Sequence, residues 1–287
     1  MLAELHAHTT YSRGKKIFYE SVSTPAEMLA RAKRLGLGML AITDHDEIRG
    51  ALAAKRLEKK YGVKVIVGEE ITTKSGHLLA LGINELVRPG MTVRESVEAV
   101  HSQGGIAIAP HPFDFKRNGI RLESKHCDAI EVFNAMSIDR LTNRRAVRFA
   151  KKLGMPVTAG SDAHGELMLG YGLVEAESEE VDSFLKDIKG GNLKLKVDYM
   201  PLEAIRDTAI KKLCMSYDYT MNYIEKNYNW PQRVIAKSMM DIVSSQARGI
   251  DSFLKVVSYM AYGGVLFYSG FTNLVGFSAL ENRVKRI

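Results

Sequence analysis

The sequence predicts an α/β fold, a barrel of alternating strands and helices followed by an all-helical C-terminal extension. From Met1 to about Gly190, short apolar runs alternate with helix-like segments, which is typical of parallel strands joined by right-handed crossovers. Polar clusters directly follow several of these runs, and parallel α/β barrels gather their functional groups at the carboxyl ends of their strands. An open α/β sheet fits the first observation equally well, but the recurring clusters favour a closed barrel.

Short apolar runs predict seven strands: Leu2–His6, Met39–Thr43, Val63–Gly68, His77–Leu81, Ile106–Ala109, Ala129–Phe133 and Pro156–Ala159. Between them lie five predicted helices: Pro25–Leu35, Ile48–Tyr61, Val93–Gln103, Asp139–Leu153 and Glu180–Lys189. Two of the helices begin with a capping-box pattern, in which a threonine is followed three residues later by a glutamate. These pairs are Thr24 with Glu27 and Thr92 with Glu95.

After the glycine pair at Gly190 and Gly191, the alternation of strand and helix patterns ends, and the sequence predicts helices alone. We therefore expect a first domain over residues 1–190 and a helical extension over residues 191–287. Residues 256–280 form a segment without any charged side chain, and this segment is long enough to span a membrane. Its glycines and polar residues, however, make it only moderately hydrophobic. A buried helix pair, an interface in a homo-oligomer and membrane association all remain open for this segment.

Composition places the chain among ordinary globular proteins, with 46% hydrophobic and 25% charged residues among 287. The formal net charge of +7 favours an anionic ligand such as a phosphate ester or a nucleic acid. With only two cysteines, far apart in sequence, neither a disulfide framework nor a cysteine-rich zinc site is expected. No basic leader precedes the first strand, so the expected location is the cytoplasm.

The first predicted strand ends in two histidines, His6 and His8, separated by one residue. Alternate residues of a strand share a face, so both imidazoles can reach one metal ion. Further clusters of metal-binding residue types follow at later strand ends: Asp44-His45-Asp46, Glu69-Glu70, His77, Pro110-His111-Pro112 and Asp162-Ala163-His164. Together these clusters predict a metal site at the mouth of the barrel.

In this order, the clusters resemble the PHP (polymerase and histidinol phosphatase) family of metal-dependent phosphoesterases over roughly residues 1–175. The matching blocks are His6-Ala7-His8-Thr9 with Ser12 and Gly14, Thr43-Asp44-His45-Asp46, Gly68-Glu69-Glu70-Ile71, His77, Pro110-His111-Pro112, Glu131-Val132-Phe133-Asn134 and Gly160-Ser161-Asp162-Ala163-His164. The resemblance implies a distorted (β/α)7 barrel that holds two or three divalent ions, commonly manganese, zinc or iron.

The resemblance also assigns roles at the metal site. His6, His8, Glu70 and Asp162 would hold one ion, and Glu70 would bridge to a second ion bound by His77 and His111. His45 and His164 would belong to a third position. Glu69 is not expected to be a ligand, and Asp44 is expected to orient a histidine.

The implied activity is hydrolysis of a phosphate ester by metal-activated water. Expected substrates are a nucleotide, a small phosphorylated metabolite or the end of an oligonucleotide. Asn134 is a candidate substrate contact, and His45 or His164 would protonate the leaving group. The alternative hypothesis is a non-catalytic module that binds metal or nucleic acid and acts through its helical tail.

One position departs from the family pattern, because Arg13 stands where family members often carry an aspartate that helps to bind the third ion. A guanidinium stays protonated and cannot be a ligand. One interpretation is that the third ion is absent or weakly held, with Asp46 as a substitute ligand. In the other, Arg13 binds the substrate phosphate and takes part in catalysis. The simplest alternative is that Arg13 points into solvent.

Overall fold

The computed structural model describes residues 1–114, 118–245 and 254–268. Within these residues, nine strands form one sheet that curves into a nearly closed barrel. The seven predicted strands are all present, as β1 (Leu2–Glu4), β2 (Met39–Ile42), β3 (Lys64–Thr72), β4 (His77–Leu81), β5 (Ile106–Ala109), β6 (Ala129–Asn134) and β7 (Val157–Gly160). The sequence did not predict the other two strands, β8 (Gly172–Glu175) and β9 (Lys194–Val197).

Strand direction reverses at β4, which makes the barrel irregular. β1 to β3 pair in parallel, and so do β5 to β7, but β4 is antiparallel to both β3 and β5. The expectation of parallel pairing throughout is therefore wrong here, because residues 73–76 form a loop too short for a crossover and long enough only for a hairpin. The reversal brings His77, the first residue of β4, to the rim where the parallel strands end.

The two unpredicted strands extend the sheet beyond β1. β8 pairs antiparallel with β1, and β9 pairs antiparallel with β8. Since β9 lies after Gly190, the sheet continues past the expected end of the first domain. The division of the chain into two domains stays a prediction.

The barrel closes at its rim, where the chain beyond β7 meets the chain beyond β1. Ala163 forms a parallel bridge with Ala7. The backbone N–H of His8 donates to the carbonyl of Ala163 at 2.8 Å, and the N–H of Ala163 donates to the carbonyl of His6 at 3.2 Å. These hydrogen bonds place the histidines that follow β1 beside the acid and histidine that follow β7.

The five predicted helices are confirmed: α1 (Pro25–Arg34), α2 (Arg49–Tyr61), α3 (Val93–Ser102), α4 (Leu141–Leu153) and α5 (Val181–Gly190). Thr24 and Thr92 both form complete capping boxes with the glutamate three residues on, as predicted. α5 covers the end of the barrel opposite the rim, and its fully buried Phe184 packs among the interior side chains.

Side-chain alternation divides the barrel interior into an apolar floor and a polar mouth. On β4, Leu81 and Leu79 contribute to the interior apolar cluster, and His77 continues the same face toward the rim. On β3, Ile66 belongs to this cluster, and Glu70 lies on the same face four residues later. Because side chains of a strand alternate between its two faces, the same face that supplies the apolar interior also directs these polar side chains into the mouth.

After β9 the described chain is helical, as expected. It forms α6 (Leu202–Met215), α7 (Tyr217–Asn227), α8 (Trp230–Ser244) and a further helix over residues 254–268. Among the described residues, no helix combines the length and the apolar character needed to cross a bilayer. The uncharged segment 256–280 is described only as far as residue 268, and its remainder lies outside the described residues.

Glu69 lies on the outer face of β3, where its side chain is fully buried and accepts a hydrogen bond from the N–H of Val87 at 3.2 Å. Its other oxygen, Oε1, has no hydrogen-bond partner among the described residues. Burial raises the pKa of this carboxyl from its ordinary value of 4.5 to about 8, and the charges of Asp46 and Glu47 add to the rise.

This raised pKa predicts a stability that falls with pH. Between about pH 4.5 and about pH 8 the folded chain holds a proton on Glu69 that the unfolded chain has released, so the free energy of unfolding decreases as the pH rises. Between about pH 5.5 and about pH 8, the free energy of unfolding should fall by about 3 kcal/mol less in Glu69→Gln than in the wild type. Urea unfolding at both pH values tests this. The exposed Glu98→Gln is the control, and equal pH slopes in all three proteins would contradict the assignment.

Candidate metal centre

Glu70 lies at the centre of the rim, with five imidazoles around its buried carboxylate. Its Oε1 lies 2.9 Å from Nδ1 of His77 and 3.0 Å from Nε2 of His111. Its Oε2 lies 3.1 Å from Nδ1 of His45, 3.4 Å from Nε2 of His8 and 3.5 Å from Nε2 of His6. The two oxygens therefore serve different groups of histidines, an arrangement suited to bridging two ions.

Asp162 faces the same group of histidines from the chain that follows β7. Its Oδ1 lies 3.3 Å from Nε2 of His8, 3.6 Å from Nε2 of His6 and 3.4 Å from Nδ1 of His164. The residue has a φ of 53°, which is uncommon for a side chain of this kind. His111 likewise has a positive φ, of 27°. Such conformations persist where the surrounding structure holds them, and they cluster at functional sites.

Outer hydrogen bonds fix the orientation of the two histidines that follow β1. Nδ1 of His6 lies 3.0 Å from Oε1 of Glu131, a buried residue of β6. Nδ1 of His8 lies 3.3 Å from the hydroxyl of Ser12, which donates to Asp44 at 2.9 Å. Both imidazoles thus keep Nε2 free to face the cluster, as metal-binding histidines with such partners do. Asp44 orients His8 through Ser12, in keeping with the role expected for it.

The buried nitrogens of the cluster fit a divalent metal ion. Nε2 of His6 and Nε2 of His8 are buried and have no hydrogen-bond partner among the described residues. Their distances to Glu70 and Asp162 run from 3.3 to 3.6 Å. Ligand atoms about 2.1 Å from a tetrahedral ion lie about 3.4 Å apart, so these four groups have the spacing of a ligand set.

The potential ligand atoms form four overlapping groups, with all the atoms of a group within 4.8 Å of one another. One group joins His6, His8 and Glu70, and another joins His45, Glu70 and His77. The other two are His6 with His111 and Asp162, and His8 with His45 and His164. The last group matches the third position implied by the resemblance, and it contains only imidazoles.

Burial and nearby charge shift the histidine pKa values in different directions. Burial alone would lower the pKa of His6, but Asp162 and the other carboxylates outweigh it and raise that pKa well above its usual value. At His111 burial is again outweighed, here by the hydrogen bond and charge of Glu70, and the pKa rises to about 9. At His45 burial prevails and lowers the pKa to about 3.

The structure brings together all eight side chains that the sequence proposed as metal ligands: His6, His8, His45, Glu70, His77, His111, Asp162 and His164. Their roles as ligands stay predictions. Asn134 lies beside them and donates to Asp162 at 3.2 Å. Asp46, the suggested substitute ligand, instead accepts a hydrogen bond from the N–H of Thr72 at 2.7 Å and belongs to none of the four groups.

Arg13 lies at the mouth of the site, outside the ligand groups. Its guanidinium is 4.4 Å from the ring centres of both Phe18 and Tyr19, and it donates to the carbonyl of Thr10. It lines the same cavity as His45 and His164, so the position is compatible with a contact to substrate. The role of Arg13 in binding or catalysis stays a prediction.

The cluster opens into a cavity of about 570 Å³, within the usual range for small-molecule sites. Its lining includes three cations, Arg13, Lys15 and Lys212. Lys212 belongs to α6 in the helical extension, and no motif in the sequence signals its presence here. The sequence also did not predict Glu131 as a hydrogen-bond partner of His6, although Glu131 lies in one of the sequence blocks that resemble the PHP family.

The fold and the cluster define an α/β barrel with a candidate metal centre at its mouth, and comparisons with known proteins identify its family. The family model described as the PHP domain matches residues 4–117, and the model described as PHP-associated matches residues 140–193. The chain belongs to the PHP family of metal-dependent phosphoesterases.

Three relatives illustrate the range of similarity. The uncharacterized protein MJ1587 of Methanocaldococcus jannaschii is 42% identical over 153 residues, which is 51% of this chain and 90% of that protein. MJ0417 of the same organism is 32% identical over 108 residues, 34% of this chain and 46% of that protein. An error-prone DNA polymerase of Mycobacterium bovis is 41% identical over 70 residues, 24% of this chain and 6% of the polymerase.

Two solved structures share the fold. One is a two-domain protein of Bacteroides vulgatus containing a predicted PHP-like metal-dependent phosphoesterase. It has a TM-score of 0.57 and 15% identity, and the match covers 74% of this chain and 69% of that one. The other is PsfC of Pseudomonas syringae, with a TM-score of 0.56 and 17% identity. The match covers 75% of this chain and 98% of PsfC. At these identities the likeness shows the fold alone.

Glu131→Gln tests whether the outer hydrogen bond to His6 supports metal binding. The substitution keeps the shape of the side chain but removes the charge that holds the imidazole, so the affinity for manganese or zinc should fall about 10- to 100-fold. Titration of the metal-free protein with each ion measures the change. The exposed Glu85→Gln should bind as the wild type does, and unchanged affinity in Glu131→Gln would remove Glu131 from the centre.

Proposed function

We propose that the protein is a hydrolase that cleaves a phosphate ester of a nucleotide, a small phosphorylated metabolite or an oligonucleotide end. The observation that carries the proposal is the buried cluster of imidazoles and carboxylates, which opens into a cavity whose lining includes three cations. Two or three divalent ions of manganese, zinc or iron would be held by Glu70 and the seven side chains around it. When bound, such ions lower the pKa of water and neutralise the charge of phosphoryl oxygens.

The residues of the chain have distinct tasks in this proposal. Glu70 and Asp162 supply the negative charge that holds the cations, and Glu131 keeps the imidazole of His6 in position. Arg13 lies at the mouth, where a guanidinium can bind two oxygens of a phosphate at once. Asn134 lines the same cavity and can contact the substrate.

His45 and His164 face the cavity and were expected to protonate the leaving group. Burial lowers the pKa of both rings, and at His164 the charges of His8 and Lys212 lower it further. Both imidazoles are therefore neutral near pH 7, in the form that binds a cation or accepts a proton. This favours a role as ligand or base over a role as acid.

The cations around the mouth share the cavity lining with acidic side chains, and they are placed to contact an anionic substrate. Arg13, Lys15 and Lys212 approach the cavity from two separate parts of the chain, and the whole protein carries a formal charge of +7. Phosphate esters in water hydrolyse extremely slowly, so a site that gathers positive charge around the phosphoryl group supplies what the uncatalysed reaction lacks.

A screen of phosphate esters with manganese, zinc and iron tests this proposal. The wild type should hydrolyse at least one class of ester in a metal-dependent way, and His8→Ala should lower turnover by about 100-fold or more because a direct ligand is lost. His101→Ala, at an exposed position outside the cluster, is the control. Tight metal binding without turnover of any ester would instead favour the non-catalytic module that acts through its helical tail.

A further inference from the structure

The helical extension packs onto the segment that follows β1 and the candidate ligands His6 and His8. Three polar contacts join them at residues 16–20. The N–H of Tyr19 donates to the hydroxyl of Ser216 at 3.0 Å, the hydroxyl of Thr220 donates to the carbonyl of Lys16 at 3.2 Å, and Lys212 pairs with Glu20. Ser216 and Thr220 are buried, so these contacts form an ordered junction.

One face of α6 borders the cavity of the metal centre along two of its turns. The four residues of this helix that line it are Ile205, Thr208, Ala209 and Lys212. Their spacing of three, four and seven residues from the first is that of a single helical face. A helix that touched the cavity by chance at one end would contribute one or two positions. The extension therefore forms a wall of the cavity along two turns of α6.

Lys212 is the charged residue of this face. Its side chain is 16% exposed, and Nζ donates to Oε2 of Glu20 at 2.9 Å. An ammonium has three donors, and Glu20 takes one of them among the residues that the structure describes, which leaves two for another acceptor. The lysine is also close enough to His164 for its positive charge to act on that ring. A cation with free donors, held at the edge of a metal centre, is placed to meet an anion bound there.

We propose that α6 is part of the active site and that Lys212 binds an oxygen of the substrate phosphate. The inference rests on the proposed function for its substrate class, an organic phosphate monoester small enough for the cavity. Ile205 and Ala209 would then face the organic group that carries the phosphate, since they lie about two turns and one turn from Lys212, respectively, on the same face. Helix α6, which neither PHP family model covers, thereby takes part in substrate selection.

If Lys212 had a purely structural role, the effects of substitutions on ligand binding would be different. If the lysine served only to hold Glu20, then removing either partner of the ion pair would have the same effect on ligand binding. If Lys212 binds phosphate, removing its charge weakens binding. Removing the charge of Glu20 leaves binding unchanged or strengthens it, because a nearby anion that competes for the ammonium is lost.

The experiment measures the binding of phenylphosphonate to the full-length, manganese-loaded protein by calorimetry. This probe resembles a phosphate monoester, but its P–C bond is not hydrolysed, so binding is measured with or without catalysis. Lys212→Gln should weaken binding about 10- to 100-fold, the loss expected for a hydrogen bond between charged groups. Lys212→Arg should retain most of the affinity. Lys211→Gln, at the exposed neighbouring position, should bind as the wild type does.

The outcomes separate this inference from the proposed function. Unchanged affinity in Lys212→Gln would overturn the inference, as would no binding to the wild type or equal losses in Lys212→Gln and Glu20→Gln. The bound manganese, measured in every variant, should be unaltered. If the wild type binds phenylphosphonate through Lys212 but hydrolyses no ester, the inference stands and the proposed function fails. If esters are hydrolysed with the same KM in Lys212→Gln, the inference alone fails.

Discussion

The structure depends on a negative charge buried at the mouth of the barrel. The carboxylate of Glu70 is 1% exposed, and five imidazoles stand within 3.5 Å of it. Burying a carboxylate is costly unless cations or hydrogen bonds compensate for it. The histidines can compensate by taking up protons, or divalent ions can lie between them and the acids. Divalent ions would also satisfy the buried nitrogens of His6 and His8, which have no hydrogen-bond partner among the described residues.

The architecture of the barrel serves this cluster. Candidate ligands reach the mouth from strands of both directions, because the hairpin that reverses β4 places His77 at the same rim as Glu70. The bridge between Ala7 and Ala163 joins the chain that follows β1 to the chain that follows β7. It thereby places His8 beside Asp162. Asp162, which has a positive φ, lies directly before this junction.

Much of this arrangement could be predicted from the sequence, because it rests on local patterns. Apolar runs of the right length marked the first seven strands, and alternation put His6 and His8 on one face. What the sequence could not supply depends on contacts between distant residues. The four-residue β8 and the exposed β9 carry too weak a pattern, and the reversal of β4 follows from the short loop rather than from the strand itself. The wall formed by α6 joins residues almost 200 positions apart, which no local motif encodes.

X-ray diffraction from crystals loaded with manganese or zinc, with the anomalous signal of each metal, tests the central claim most directly. The account predicts anomalous peaks bound to both oxygens of Glu70, with zinc about 2.0 to 2.2 Å from Nε2 of His6 and His8. A map whose peaks all lie away from Glu70, with these two imidazoles bound to the acids alone, would contradict it.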